Sequence, residues 1–200
     1  MWKRCLSEDC AGREGGRRMR VESDNFLGRY GHEVVLRNAE PSDAAVLIRY
    51  LKDTSSETPY LIREPEEVSL SVEQEQKIIQ RKIDAERELM LVAIADGRLA
   101  GACSLMRMGE LRRFRHRCEL AIALYQKYCG KGIGKRMMEV LLDAAEKAGY
   151  EQAELEVIAD NERAIALYEK LGFQKYGTFQ DYMKYRDGTY GDAFWMMKKL

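Results

Sequence analysis

The chain has 200 residues, with 33 Lys and Arg balanced by 33 Asp and Glu. That length suits one domain with a sizeable core. The neutral balance argues against a general nucleic-acid binder, and no apolar run is long enough to span a bilayer. Residues 1–20 lack the apolar core of a secretory signal. Five cysteines, Cys5, Cys10, Cys103, Cys118 and Cys129, are odd in number and lack zinc spacing. They read as reduced thiols of a cytoplasmic protein without a metal site.

Residues 1–32 are basic and Gly-rich, with Arg13, Arg17, Arg18 and Arg20 among Gly12, Gly15 and Gly16. They read as a weakly ordered extension, or as an arm that packs on a partner subunit. Residues 33–200 read as a single domain, opening with a strand over 33–37. Pro41 starts a helix with Ala44, Leu47, Ile48 and Leu51 on one face. Residues 54–70 look like a loop, carrying Pro59, Pro65, Glu64, Glu66 and Glu67. Ser71 and Gln74 have capping-box spacing, and a second helix to about residue 88 turns Val72, Ile79 and Ile83 inward. A dense apolar strand over 89–95 meets the hairpin signal Asp96-Gly97, and the chain returns over 98–108. The most basic run, 107–117, reads as a solvated hairpin tip or strand edge.

A strand-like run over 119–125 leads into Cys129-Gly130-Lys131-Gly132-Ile133-Gly134-Lys135 and then into a helix. Ile133, Met137, Val140, Leu141, Ala144, Ala145 and Ala148 give that helix a buried stripe, and Gly149 sits where helices commonly end. A strand, a glycine turn and a helix start direct unpaired N–H groups and the positive end of the helix dipole at one spot. Lys131 and Lys135 add charge there, so the natural ligand is a phosphate or pyrophosphate. The P-loop pattern fails, because Arg136 follows Gly134-Lys135 and position 129 is Cys. The dinucleotide pattern places Lys135 where its third glycine belongs. Farther on, residues 152–158 alternate, with Ala153, Leu155 and Val157 on one side and Glu154 and Glu156 on a polar face. Asn161 then caps a helix lined by Ala164, Leu167, Tyr168 and Leu171 and ended by Gly172. Two strands flanking Asp187-Gly188 close the chain as a hairpin. The element order predicts a mixed α/β sheet with helices on both faces.

Two segments together resemble the GCN5-related N-acetyltransferases, the GNAT superfamily. Residues 129–134 overlay its (Gln/Arg)-x-x-Gly-x-(Gly/Ala) turn. Asn161, Ala164, Leu167, Tyr168, Gly172 and Phe173 overlay its "Asn…Ala…Leu-Tyr…Gly-Phe" helix. The resemblance spans roughly residues 34–200, and Cys129 departs from it, standing where the family usually has Gln or Arg. It implies a mostly antiparallel sheet in which the strands before the two motif helices splay apart. Acetyl-CoA would be the cosubstrate, its pyrophosphate cradled by Cys129, Gly130, Lys131, Gly132, Ile133, Gly134 and Lys135. Ile122 and Leu124 would offer backbone groups to the pantetheine arm and thioester. Asn161 would contact the cofactor, cap its helix, or both.

Tyr168 would be the general acid to the CoA thiolate, since a phenol near pKa 10 keeps its proton at neutral pH. Glu119 is either a base acting through water or an exposed strand-end carboxylate. Glu64, Glu66 and Glu67 fall in the region resembling the family's variable acceptor wall, and His32 and His116 are weaker base candidates. Cys129 has no visible base beside it and is not expected to be a nucleophile. The reaction implied is direct acetyl transfer to a primary amine of a small molecule, with a protein N-terminus or lysine as the alternative acceptor. A non-catalytic acyl-CoA-binding module is the competing class, and the presence of Tyr168 speaks against it. A nucleotide-binding protein is a third. No nucleic acid or membrane partner is expected, and the resemblance leaves a homodimer open.

Overall fold

The computed structural model describes residues 18–200. Arg13 and Arg17, expected in the weakly ordered extension, lie outside the described residues. Eight strands form one sheet: β1 (Asp24–Leu27), β2 (Glu33–Asn38), β3 (Leu89–Ala95), β4 (Arg98–Arg107), β5 (Arg117–Leu124), β6 (Gln152–Ile158), β7 (Gln174–Lys184) and β8 (Tyr190–Lys199). Their spatial order is β1-β2-β3-β4-β5-β6-β8-β7. Every neighbouring pair is antiparallel except β5 and β6, which are joined by a helical crossover, as parallel neighbours require. Four helices cover the sheet: α1 (Ala44–Glu57), α2 (Val72–Asp84), α3 (Ile133–Lys147) and α4 (Glu162–Lys170). This is the mixed, mostly antiparallel α/β architecture expected from the sequence. Among the described residues, no helix is long and apolar enough to cross a membrane.

Two cores lie on opposite faces. β3 sends Leu89, Leu91, Ala93 and Ala95 into the one beneath α3 and α4, and Met90 and Val92 into the one beneath α1 and α2. A strand covered on both sides has no need to alternate, which is why 89–95 reads as an unbroken apolar run. The expected hairpin turn forms, with Asp96 at φ 48° and Gly97 at φ 73°, the double left-handed geometry that matches strand twist. The basic run is the β4–β5 connection, with Arg117 inside β5 and Leu111 77% exposed.

Four local expectations change. The segment before residue 33 contributes β1, which pairs with β2 from Asp24↔Leu36 to Leu27↔Glu33. α1 runs through Thr54 and Ser56 to Glu57, because the Thr54 hydroxyl donates to the Tyr50 carbonyl at 2.7 Å and Ser56 donates to Lys52 at 3.0 Å. Bonded one turn back, the two hydroxyls do not compete for the ladder as they would in a turn, although such bonding adds no helix stability of its own. α2 stops at Asp84, where Ala85 turns extended, and Val72 at its start points outward while Glu75 points in. Burial pushes the Glu75 carboxyl up, against the opposing charge of Arg63.

The polar face of β6 is not simply solvated. Glu154 is 4% exposed and is gripped by two guanidinium nitrogens of Arg117, with Gln152 Nε2 at 2.7 Å and the Tyr176 hydroxyl at 3.1 Å. Burial is the largest single influence on its carboxyl and pushes it up. The hydrogen bonds from Arg117, Gln152 and Tyr176 outweigh that and hold it below the ordinary 4.5. A depressed folded-state pKa contributes stability above the unfolded-state value and loses it as pH falls through the folded one. Glu154→Ala is expected to cost about 3 kcal/mol at pH 7, since it strands a partly buried guanidinium. Urea midpoints measured from pH 7 downward should show that difference shrinking once the pH drops below about 4.5. A difference that stays constant across that range would show that packing, not charge, carries the effect.

Candidate active site

β5 and β6 pair only at Arg117↔Gln152, Cys118↔Ala153 and Glu119↔Glu154, and then part. The Tyr125 N–H reaches the Ala100 carbonyl on the β4 side, and the Arg117 carbonyl accepts from Met108 on that same side. Odd residues of β5 therefore turn their backbone groups to β4. The backbone groups of Ile122 and Leu124 turn into the gap that β6 vacates. The splay expected from the resemblance is present, with both predicted residues on its free edge. Tyr50 props the other side. Its hydroxyl accepts from the Ala102 N–H at 3.3 Å and donates to the Ala123 carbonyl at 2.7 Å, standing between β4 and β5.

The glycine turn sits at the open end of this gap. Gly130 at φ 76° and Gly132 at φ 84° take left-handed conformations that side chains disfavour. Gly134 is needed for a different reason: a Cβ there would stand 3.1 Å from Leu124 Cδ1, 3.6 Å from Leu167 Cδ2 and 3.7 Å from Ile122 Cδ1. The start of α3, the gap strand and α4 meet at that point. The first helical bond runs from the Arg136 N–H to the Gly132 carbonyl, and no side chain caps the helix start. α2 and α4 are capped by Ser71 and by Asn161, whose Oδ1 accepts from the Ala164 N–H at 3.3 Å. The free N–H groups ahead of α3 and the gap beside it suit an anion at the end of an extended chain. Lys131 is turned to His32, Lys135 pairs with Glu139 at 2.8 Å, and the Cys129 thiol faces the Tyr125 carbonyl at 3.7 Å.

Tyr168 is 7% exposed in the same apolar cluster as Ile122 and Leu124, its ring tilted against Phe173 at 6.0 Å. Burial alone pushes its phenol up to about 12, and the hydroxyl has no hydrogen-bond partner among the described residues. Across the gap, Glu119 lies beside Glu154 on the face opposite α3. Two residues along β6 on that face, Glu156 accepts from Trp195 Nε1 at 2.9 Å and from the Tyr182 hydroxyl. Burial, then the hydrogen bond it donates to Glu156 and the charges of Glu156 and Glu119, push the Tyr182 phenol up, so it stays a donor. Phe179 packs edge-on against both Tyr182 and Trp195, at 5.4 and 5.7 Å. The sequence reading missed Glu156, Tyr182 and Trp195. The one signal available was the two-residue spacing that puts Glu154 and Glu156 on one face.

The connection between α1 and α2 arches across this face. Tyr60 donates to the Asp160 carbonyl at 3.3 Å, and Arg186 at the β7–β8 tip binds Glu64 at 2.9 Å and also Glu66. Glu67 accepts from the Glu64 N–H. Glu64 and Glu66, placed by the resemblance in the acceptor wall, tether the connection to Arg186, while Glu67 closes the local turn. His116 caps the end of β6, its carbonyl accepting from Glu151 and Gln152, away from the gap.

Residues 50–173 match the Acetyltransferase (GNAT) family. The chain belongs to that family. It is 36% identical over 92 residues to the N-alpha-acetyltransferase RimI of Mycobacterium tuberculosis, covering 46% of this chain and 56% of that protein. It thus spans about half the length of curated relatives that it matches. The GNAT-family acetyltransferase of Streptococcus pneumoniae superposes with TM-score 0.80 at 27% identity, over 84% of this chain and 100% of that one. The structure of yncA from Salmonella typhimurium with its cofactor acetyl-CoA shares the fold, with TM-score 0.73 at 18% identity over 84% and 94%.

Adding a methyl at Gly132 forces a side chain into the left-handed region. Gly132→Ala should lower stability by about 1–2 kcal/mol, read as a lower urea midpoint. An unchanged midpoint would show that the turn relaxes into another conformation.

Proposed function

We propose that this GNAT-family protein transfers the acetyl group of acetyl-CoA directly to a primary amine. The observation that carries the reading is the convergence on one gap of three features: the free edge of Ile122 and Leu124, the uncapped start of α3, and the two flanking groups, Glu156 held by Tyr182 and Trp195 on one face and the buried Tyr168 phenol on the other. The residues fit the cosubstrate. The N–H groups of residues 131–135 would hold its pyrophosphate, and the edge of β5 would pair with its amide-bearing arm. When bound, acetyl-CoA supplies an activated thioester whose sulfur leaves as a thiolate.

Glu156 takes the part of the base. A carboxylate accepts about four hydrogen bonds, so two remain beyond those from Tyr182 and Trp195. Glu119 adds a second negative charge that draws the cationic amine in. In water, a carboxylate near 4.3 faces an α-amine near 7.8 across about 3.5 pKa units, against about 6 for a lysine ammonium. That gap, roughly 5 versus 8 kcal/mol, favours an α-amine, as does the likeness to a protein named an N-alpha-acetyltransferase. A free amino acid and a peptide N-terminus both present one. Tyr168 takes the part of the acid. Its pKa of about 12 exceeds that of a free thiol, but burial disfavours a thiolate beside it just as it disfavours a phenolate. The phenol therefore stays a competent donor to the departing sulfur.

Release of CoA thiol should be measured with amino acids, short peptides, polyamines and aminoglycosides as acceptors. Tyr168→Phe should lower kcat about 100-fold or more while acetyl-CoA affinity stays within about twofold. Glu156→Gln should lower kcat by a similar factor. Full activity in Glu156→Gln would move the base role to Glu119. Tight acetyl-CoA binding with no release for any acceptor would support the binding-module reading.

A further inference from the structure

Residues 24–32, outside the stretch matched to the family, wrap the glycine turn. The Gly28 N–H donates to the His32 carbonyl at 2.8 Å, and the Arg29 N–H donates to the Lys131 carbonyl at 2.8 Å. Gly28 lies so close to that same carbonyl that a Cβ would stand 3.2 Å from it. Between these contacts Tyr30 is held at φ 67°, a conformation that a side chain keeps only where its surroundings impose it. Asp24 binds Arg136 Nε at 2.6 Å. His32 bridges outward, with Nδ1 2.6 Å from Asp96 and Nε2 2.9 Å from Lys131 Nζ.

These contacts occupy the basic side chains of the turn. Lys131 is engaged by His32, Lys135 by Glu139 and Arg136 by Asp24. The Arg29 guanidinium forms no ion pair among the described residues. Its Cγ lies 3.9 Å from where a Cβ on Gly132 would stand, against the residue that precedes the first turn of α3. Its terminal nitrogens are four bonds beyond Cγ, a reach that includes the N–H groups at the start of α3.

We propose that Arg29 is an acyl-CoA-binding residue, delivered by the 24–32 segment, whose guanidinium contacts the pyrophosphate at the start of α3. This rests on the acetyltransferase reading above. A planar cation with several donors suits two adjacent phosphoryl groups. Its backbone N–H, not its side chain, ties the segment to Lys131, so the side chain can be changed without untying it.

The test uses the full chain and Arg29→Met, which keeps the stem and removes the charge. Calorimetry should show acetyl-CoA binding weakened about tenfold, the loss of one charge-assisted contact. KM should rise by a similar factor, with kcat within about twofold. Acetyl-dephospho-CoA, which keeps the pyrophosphate, should show the same loss. S-acetyl-pantetheine, which has no phosphate, should be used equally by both forms. Unchanged acetyl-CoA affinity overturns the assignment, as does a loss that vanishes with the dephospho compound or persists with S-acetyl-pantetheine. Failure of the wild type to bind acetyl-CoA would instead sink the acetyltransferase reading, and this assignment with it.

Discussion

Pairing between β5 and β6 stops after three residue pairs, and the candidate site depends on that interruption. A sheet edge inside a domain is ordinarily a liability, because unpaired backbone groups lose water without gaining partners. Here the interruption is built from both sides. At its base, Arg117 and Glu154 tie the two strands with a two-pronged ion pair, so the strands cannot drift apart further down. On the far side of β5, the Tyr50 hydroxyl stands between the Ala102 N–H and the Ala123 carbonyl. Leu124 and Ile122 press their side chains against Gly134, which seats the unpaired end of β5 against the start of α3. The open edge is a consequence of packing that nothing in the β5 sequence alone expresses.

The two carboxylates of β6 show how one periodicity produces two roles. Glu154 and Glu156 share a face because strand side chains alternate. Glu154 falls at the last paired rung, where Arg117 reaches it, and is buried as a structural ion. Glu156 falls one repeat beyond, where β5 has moved away, and its partners come from β7 and β8 instead. Those partners are neutral donors. They orient the carboxylate without neutralising it, which leaves its charge available to a proton or a cation.

Much of the fold was legible because its signals are local. The Asp96-Gly97 turn, the Ser71–Gln74 capping box, the glycine turn and the Asn161 cap each need only a few neighbouring residues, and each appears. The illegible parts involve distant partners. Thr54 and Ser56 look like loop formers until their hydroxyls are seen bonded within α1. Four residues of β1 carry too little pattern to announce a strand, and exist because Glu33–Leu36 offers them an edge. Tyr182 and Trp195 gain meaning only from Glu156, 26 and 39 residues away. Glu64 and Glu66 seemed available until Arg186, more than 100 residues on, claimed them.

That last pairing bears on how an acceptor would enter if the proposed reaction holds. The connection between α1 and α2 is held down by Arg186 at one point and by the Tyr60–Asp160 contact at another. Both anchors lie on exposed side chains, where an ion pair is worth at most about 1 kcal/mol and is screened by salt. The aromatic wall of Phe179, Tyr182 and Trp195 beneath is fixed by packing and by Glu156. If Glu156 is the base proposed above, a weakly tethered roof over that wall would let acceptors of different length reach it. On that proposal, selectivity for the amine would reside in the aromatic floor, and tolerance for what is attached to it in the roof.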